Sequence, residues 1–302
     1  MGRGDLTNAE WARLKPHLPA FGQRGGRWSD HRKVINGILF RVRTGIPWRD
    51  LPERFGRWKT LYERHRRWSA DGTWDRILRA VQADADLAGR IDWSMVSVDS
   101  TSCRAHQHAA GARKKKPRVP KKGQRPGTTA RDEGLGRSRG GLTCKIHLVG
   151  EGGCRPMAFL LTPGQWGDAP QMIEVLKRIR VPRPQGGHPR TRPDHLGGDK
   201  AYSSRRNRRY LRRRRIKHTI PEPKDQRANR QRRGSAGGRP AGFDREHYRR
   251  RNEVERTINR LKNSRAVATR YDKSAYVFHG TVTAAAVRLM APSMIRRTVP
   301  NP

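Results

Sequence analysis

Apolar residues in this chain fall into short clusters whose repeat changes once, near residue 92, and that change limits the folds open to it. Before it the spacing is helical. Leu6, Trp11, Leu14 and Leu18 share one helix face, and Thr7 with Glu10 three residues on forms a capping box. Val34, Ile35, Ile38, Leu39 and Val42 make a second stripe, capped by Ser29 or Asp30 and closed at Gly45-Ile46-Pro47. A third helix is expected over 57–68 after a turn at Phe55-Gly56, and a fourth from Trp74 after Asp71-Gly72. Past residue 92 the clusters shorten into strand-like runs: 95–99, a hairpin pair at 142–149 and 155–161, then 195–199 and 217–221. Helices are expected at 168–179, 203–215 and 244–264, with polar loops over 181–195 and 222–242. A helical bundle followed by alternating strands and helices reads as an α/β chain with a mixed sheet. The implied division is a helical unit over 1–92 and a sheet domain over 93–302.

Charge narrows the partners. The chain has 302 residues, with 68 Lys and Arg against 26 Asp and Glu, a net charge of +42. A compact body with that charge repels itself unless a polyanion is near, so nucleic acid is the expected partner. A disordered basic tail or a ribosomal-type structural protein would share this composition. No apolar run approaches the roughly 20 residues of a membrane helix, and the opening MGRGDLTNAEWARL lacks a signal-peptide core. Three cysteines are too few for a disulfide scaffold. A reducing cytoplasm is therefore expected. Residues 111–140 read as a basic loop or arm without core character.

The 57–68 helix after the Phe55-Gly56 turn suggests a helix-turn-helix. Leu61 would face the core, leaving Arg57, Lys59, Arg64, Arg66 and Arg67 for phosphates or base edges. An ordinary bundle with a solvated basic face gives the same pattern.

Acidic residues are scarce, so their placement is informative. Asp99 and Asp199 each end a short strand-like run, where α/β folds assemble sites. On the 244–264 helix, Tyr248, Arg251, Glu255 and Lys262 fall within about 60° of one another. Glu253 lies about 140° round from Tyr248, so Glu255 is expected beside the core and Glu253 toward solvent. Converging carboxylates repel unless divalent cations neutralise them. Mg²⁺, with Mn²⁺ able to substitute, suits an oxygen-donor site, and two such ions can clamp an in-line displacement at phosphorus. Scattered surface carboxylates are the plain alternative.

The run Tyr248-x2-Arg251-x3-Glu255-x6-Lys262 resembles the signature of DDE transposases of bacterial insertion sequences, in particular the insertion-sequence-five group. VDSTSCRAHQHAAGA (98–112) resembles the first-Asp motif, GDKAY (198–202) the second, and 136–149 with 160–172 the central strands and following helix. LTNAEWARLKPHLP and GIPWRDLPERFGRWKTLYERHRRW resemble the N-terminal DNA-binding segment. The resemblance implies a ribonuclease H-like catalytic domain with Asp99, Asp199 and Glu255 as catalytic metal ligands. It implies terminal inverted-repeat binding, cleavage at the element ends and joining of the 3′-hydroxyl to target DNA, as at least a homodimer on double-stranded DNA. Tyr248, Arg251 and Lys262 would contact the element end, and Trp166 would receive a flipped base, though a core tryptophan fits the same position. An inactive copy acting as a DNA-binding repressor would carry the same motifs. Two glycines before Asp199, and Ala201 where the group commonly has glycine, depart from the pattern.

Overall fold

The computed structural model describes residues 4–20, 28–112, 133–138 and 140–290. Helix α1 (Asn8–Leu14) opens with the expected capping box, in which Thr7 accepts from the Glu10 amide and the Glu10 carboxylate accepts from the Thr7 amide at 2.8 Å. Asp30, not Ser29, caps α2 (His31–Thr44), which stops where Gly45 turns left-handed at φ 72°. Two 3₁₀ turns, Trp48–Asp50 and Glu53–Phe55, lead to α3 (Trp58–Ala70), and left-handed Gly72 leads to α4 (Thr73–Leu87). The helix-turn-helix-like pair α2–α3 is thus joined by an elaborated connection rather than a tight turn.

The sheet region follows: β1 (Val96–Ala105), α5 (Gln107–Ala110), β2 (Gly136–Ser138), β3 (Gly141–Glu151), β4 (Arg155–Pro163), α6 (Asp168–Leu176), β5 (His195–Gly198), α7 (Arg205–Arg213) and β6 (Lys217–Thr219). The chain ends in α8 (Lys224–Arg232), α9 (Arg245–Arg250), α10 (Asn252–Lys262), α11 (Arg265–Ala268), β7 (Thr269–Arg270) and α12 (Ala275–Met290). Strands β4, β3 and β1 form an antiparallel meander, and β5 and β6 continue it parallel to β1. This is the ribonuclease H-like mixed sheet that the resemblance implies. Strand β2 pairs with β3, and β7 with the far end of β1.

Several expectations change. Strand β1 does not stop at Asp99 but runs on to Ala105, because β3 stays paired with it to Arg104. The loop read over 222–242 contains α8 and a 3₁₀ turn, Gly234–Gly237; its Lys, Gln, Arg and Ala favour helix but show no apolar stripe. The 244–264 helix is two helices, Arg251 closing α9 and opening α10. Of the basic stretch 111–140, residues 136–138 join the sheet, while 113–132 and 139 lie outside the described residues.

Helix α12 had no sequence signal because it is apolar nearly all round, as a buried helix must be. It packs against α2, α3, α4 and β4. A Cβ at Gly280 would lie 2.8 Å from the Ser69 Cβ, so glycine lets α12 reach α3. Buried polar bonds tie the same layers: Arg41 to Asp272 at 3.2 Å, the Thr281 hydroxyl to Asp272 at 2.8 Å, and the Gln82 amide to the carbonyls of Pro156 and Met157 at 3.0 Å. One hydrophobic core therefore runs from Leu6 to Met290, continuous across the boundary expected near residue 92. Among the described residues, no helix is long and apolar enough to cross a membrane.

Candidate active site

Strand register sets the first two carboxylates. Val96, Ser97 and Val98 of β1 pair in parallel with Leu196, Gly197 and Gly198 of β5, so Asp99 and Asp199 follow the last paired positions side by side. The two glycines have a packing reason. A Cβ at Gly197 would meet Met95 Cε at 2.6 Å and Ser97 Oγ at 2.8 Å. Asp199 leaves the sheet and caps a 3₁₀ turn (Lys200–Tyr202), accepting from the Ala201 amide at 2.9 Å. Asp99 accepts from the Ser100 amide at 2.8 Å.

Helix α10 brings the third. Its buried Val254, Thr257, Ile258 and Leu261 rest on β1 and β3, with Thr257 against Gly150. Glu255 faces the same opening as Asp99, and Arg251 stands between them. Its Nη2 donates to Glu255 Oε1 at 2.5 Å, and its Nη1 lies 3.9 Å from Asp99 Oδ2. The guanidinium also lies 5.7 Å from the centre of the Tyr248 ring. Lys262 donates to Thr101 Oγ1 at 3.1 Å and to the Ser102 carbonyl at 3.4 Å. The break at Arg251 thus leaves the expected four-residue face intact.

The electrostatics follow from this crowding. Burial pushes the Asp99 carboxyl above its usual range; the Ser100 amide and Arg251 oppose that, while the charges of Asp199 and Glu255 add to it. Burial works against the charge of Arg251, but Glu255, Tyr248 and Asp99 together hold its pKa above the ordinary value. Among the described residues, no three His, Cys, Asp or Glu side chains are gathered closely enough to hold a metal ion. The three carboxylates share a field rather than a coordination sphere, and Arg251 supplies the positive charge between two of them. As a donor set, three carboxylates of which Asp99 feels the charge of the other two suit a hard divalent cation.

Other expectations are corrected. Glu255 does not lie deeper than Glu253: the Glu255 side chain is 44% exposed and that of Glu253 only 19%. Glu253 is enclosed by Arg250, which bonds it at 3.3 Å and Asp92 at 2.6 Å, contacts that a helical period cannot reveal. Arg64 is not available to DNA. It is buried, donates to His31 Nδ1 at 2.9 Å and lies 4.1 Å from the centre of the Trp28 ring, because it shares the inward face of α3 with Leu61 and Trp68. Arg57, just before α3, and Lys59, Arg66 and Arg67 on it are exposed, Arg66 bonding Glu63 and Tyr276. Trp166 is 37% exposed on the loop before α6, which settles against a core role.

Asp168, in the first turn of α6, has no spacing signal that would mark it in the sequence. It accepts from Lys145 Nζ and from the Ser100 hydroxyl, each at 2.9 Å. The hydroxyls next to Asp99 in sequence serve elsewhere, Ser100 on Asp168 and Thr101 on Lys262. Tyr202 is buried nearby; burial, then the charges of Asp168, Asp99 and Asp199, raise its pKa well above normal.

Residues 94–290 match the family model described as "Transposase DDE domain". The chain belongs to the DDE transposase family. Residues 6–78 of this transposase match a second model, "Putative transposase of IS4/5 family". Over 113 residues it is 40% identical to the uncharacterized protein y4sN of Sinorhizobium fredii, a match covering 37% of this chain and 85% of that one. An uncharacterized 16.2 kDa protein of insertion element IS402 from Burkholderia cepacia is 36% identical over 112 residues, covering 35% of this chain and 76% of its own. The structure of a pre-cleavage Mos1 transpososome aligns over 93% of this transposase and 84% of that chain, at 12% identity and a TM-score of 0.26, a likeness too slight to weigh.

Proposed function

We propose that this transposase binds the terminal inverted repeats of its own insertion sequence, cuts the phosphodiester at each end and joins the freed end to target DNA. The observation that carries the reading is the parallel register of β1 and β5, which sets Asp99 beside Asp199, with Glu255 near enough for its charge to act on Asp99. In cleavage, a water oxygen forms a bond to the scissile phosphorus as the bond to the 3′-oxygen breaks, leaving a 3′-hydroxyl. In joining, that hydroxyl attacks a target phosphodiester and displaces the target's own 3′-oxygen. Both are in-line displacements, so one site serves both. Asp99, Asp199 and Glu255 would hold Mg²⁺ or Mn²⁺, which when bound stabilises charge on the attacking and leaving oxygens.

The chain's own cations orient the strand. Arg251 and Lys262 lie on the rim of the carboxylate group and would neutralise phosphates beside the scissile bond. Tyr248 lies beside Arg251, and exposed Trp166 offers a face for an unstacked base. The helical unit over 1–92, through Arg57, Lys59 and Arg67, would hold the duplex end. Two ends must be joined, so a homodimer on DNA is the working assembly.

Asp99→Asn tests the reading. Incubated with end-sequence duplex and Mg²⁺, the wild type should cut and the variant should not, while both bind the duplex equally. A variant that still cuts removes Asp99 from the chemistry, and a wild type that binds without cutting is an inactive copy.

A further inference from the structure

A cavity of 1070 Å³ lies away from the carboxylates, between α7, the edge strand β6, α8 and the segment 236–244. Its walls carry eight Lys and Arg side chains against two acids, Glu222 and Asp244. Helical spacing explains how so many arrive together. Arg205, Arg208 and Arg212 share one face of α7, and Arg230 and Arg233 project from α8 across the gap. Both acids are already engaged, Glu222 with Arg230 at 3.1 Å and Asp244 with His247 at 2.7 Å. Arg205 and Arg212 are exposed, and among the described residues neither has an ion-pair partner. Burial lowers the pKa of Arg208; the charge of Glu222 opposes that, and the neighbouring Arg212 adds to it. One aromatic stands in the wall: Phe243, 53% exposed, its ring 5.1 Å from that of Tyr248. The cleft begins at Ser204, on the segment leading out of Asp199.

We infer that this cleft holds a short single-stranded stretch of DNA adjoining the duplex bound for cleavage. Arginines on two facing walls track a phosphate backbone, and an exposed ring supplies a stacking platform for a base. Size chooses the single strand. The volume is just above the about 300–1,000 Å³ typical of small-ligand pockets, enough for a few nucleotides and too little for a double helix. The inference rests on the proposed action at DNA ends but assigns a separate surface, and its test needs no cleavage.

Binding is measured by fluorescence anisotropy in EDTA, comparing a blunt labelled duplex with the same duplex bearing a five-nucleotide oligothymidine tail. The wild type should prefer the tailed duplex. Arg205→Ser/Arg212→Ser should lose that preference and lower the salt slope of tailed binding by about 0.7 for each lost phosphate contact, with blunt-duplex affinity unchanged. Phe243→Ala should weaken tailed binding about tenfold and leave the blunt duplex alone. Arg76→Ser/Arg79→Ser, which removes the same charge from the exposed face of α4, should change neither preference nor tailed slope. A wild type indifferent to the tail overturns the inference, as does a preference that survives in the α7 and Phe243 variants or falls equally in the α4 control. Loss of cleavage in Asp99→Asn with tail preference intact would leave both readings standing, and a wild type that prefers the tail but never cuts would remove only the proposed activity.

Discussion

Asp272→Asn should uncouple the C-terminal helix from the N-terminal helices. The Asp272 carboxylate is 6% exposed and is the ion-pair partner of Arg41, whose side chain is 3% exposed. Two other Arg41 nitrogens already lack hydrogen-bond partners, and its guanidinium sits 5.0 Å from the centre of the Trp48 ring. The fully buried Arg270 is close by and spends two of its donors on the carbonyls of Asp272 and Lys273. Asparagine keeps an acceptor for Thr281 but removes the charge opposing Arg41. Breaking a buried pair from one side costs about 3–5 kcal/mol, a third or more of the stability of many domains, about 5–15 kcal/mol. With a urea slope of about 3 kcal/mol/M, the unfolding midpoint should fall by roughly 1–2 M. Tryptophan fluorescence reports directly, since buried Trp68 and Trp74 lie in the layer that α12 covers. Arg41→Met/Asp272→Leu should recover most of the loss, because no charge is then stranded. A midpoint within about 0.3 M of wild type (under about 1 kcal/mol at that slope), or a double variant as weak as the single one, would refute the view that this pair couples the two regions.

Two further outcomes follow from the packing. Burial depresses His65 and His147 to about 4, so both are neutral in the fold. The unfolded chain takes up their protons first, near 6.5, so stability is full above that pH and declines as pH falls from about 6.5 toward 4. Urea midpoints at pH 7.5 and 5 should show the decline, His65→Gln should flatten part of it, and a level wild-type profile would contradict it. Gly37→Ala would place a Cβ 2.2 Å from Leu61 Cδ2 and 3.0 Å from Phe55 Cβ, where α2 meets α3. Overpacking there should cost about 1–3 kcal/mol in urea unfolding, and an unchanged midpoint would mean the two helices have room to separate.

Local chemistry was legible from residue order alone. The capping box at Thr7 and Glu10, the stop at Gly45 and the β3–β4 hairpin are set by bonds or turns within a few residues. So was the face bearing Tyr248, Arg251, Glu255 and Lys262, since a helical repeat depends only on spacing. What each face meets depends on distant segments. Arg64 and Glu253 occupy positions that spacing assigned to solvent, yet Trp28 and His31 enclose one, and Arg250 bonded to Asp92 encloses the other. Helix α12 shows no stripe because neighbours surround it. Only the register of β1 against β5 sets Asp99 beside Asp199, and only the approach of α7 to α8 turns an arginine-rich stretch into a two-walled cleft. Side-chain spacing along one element is a local property of the backbone, whereas burial and charge proximity arise between elements and exist only once the chain has packed.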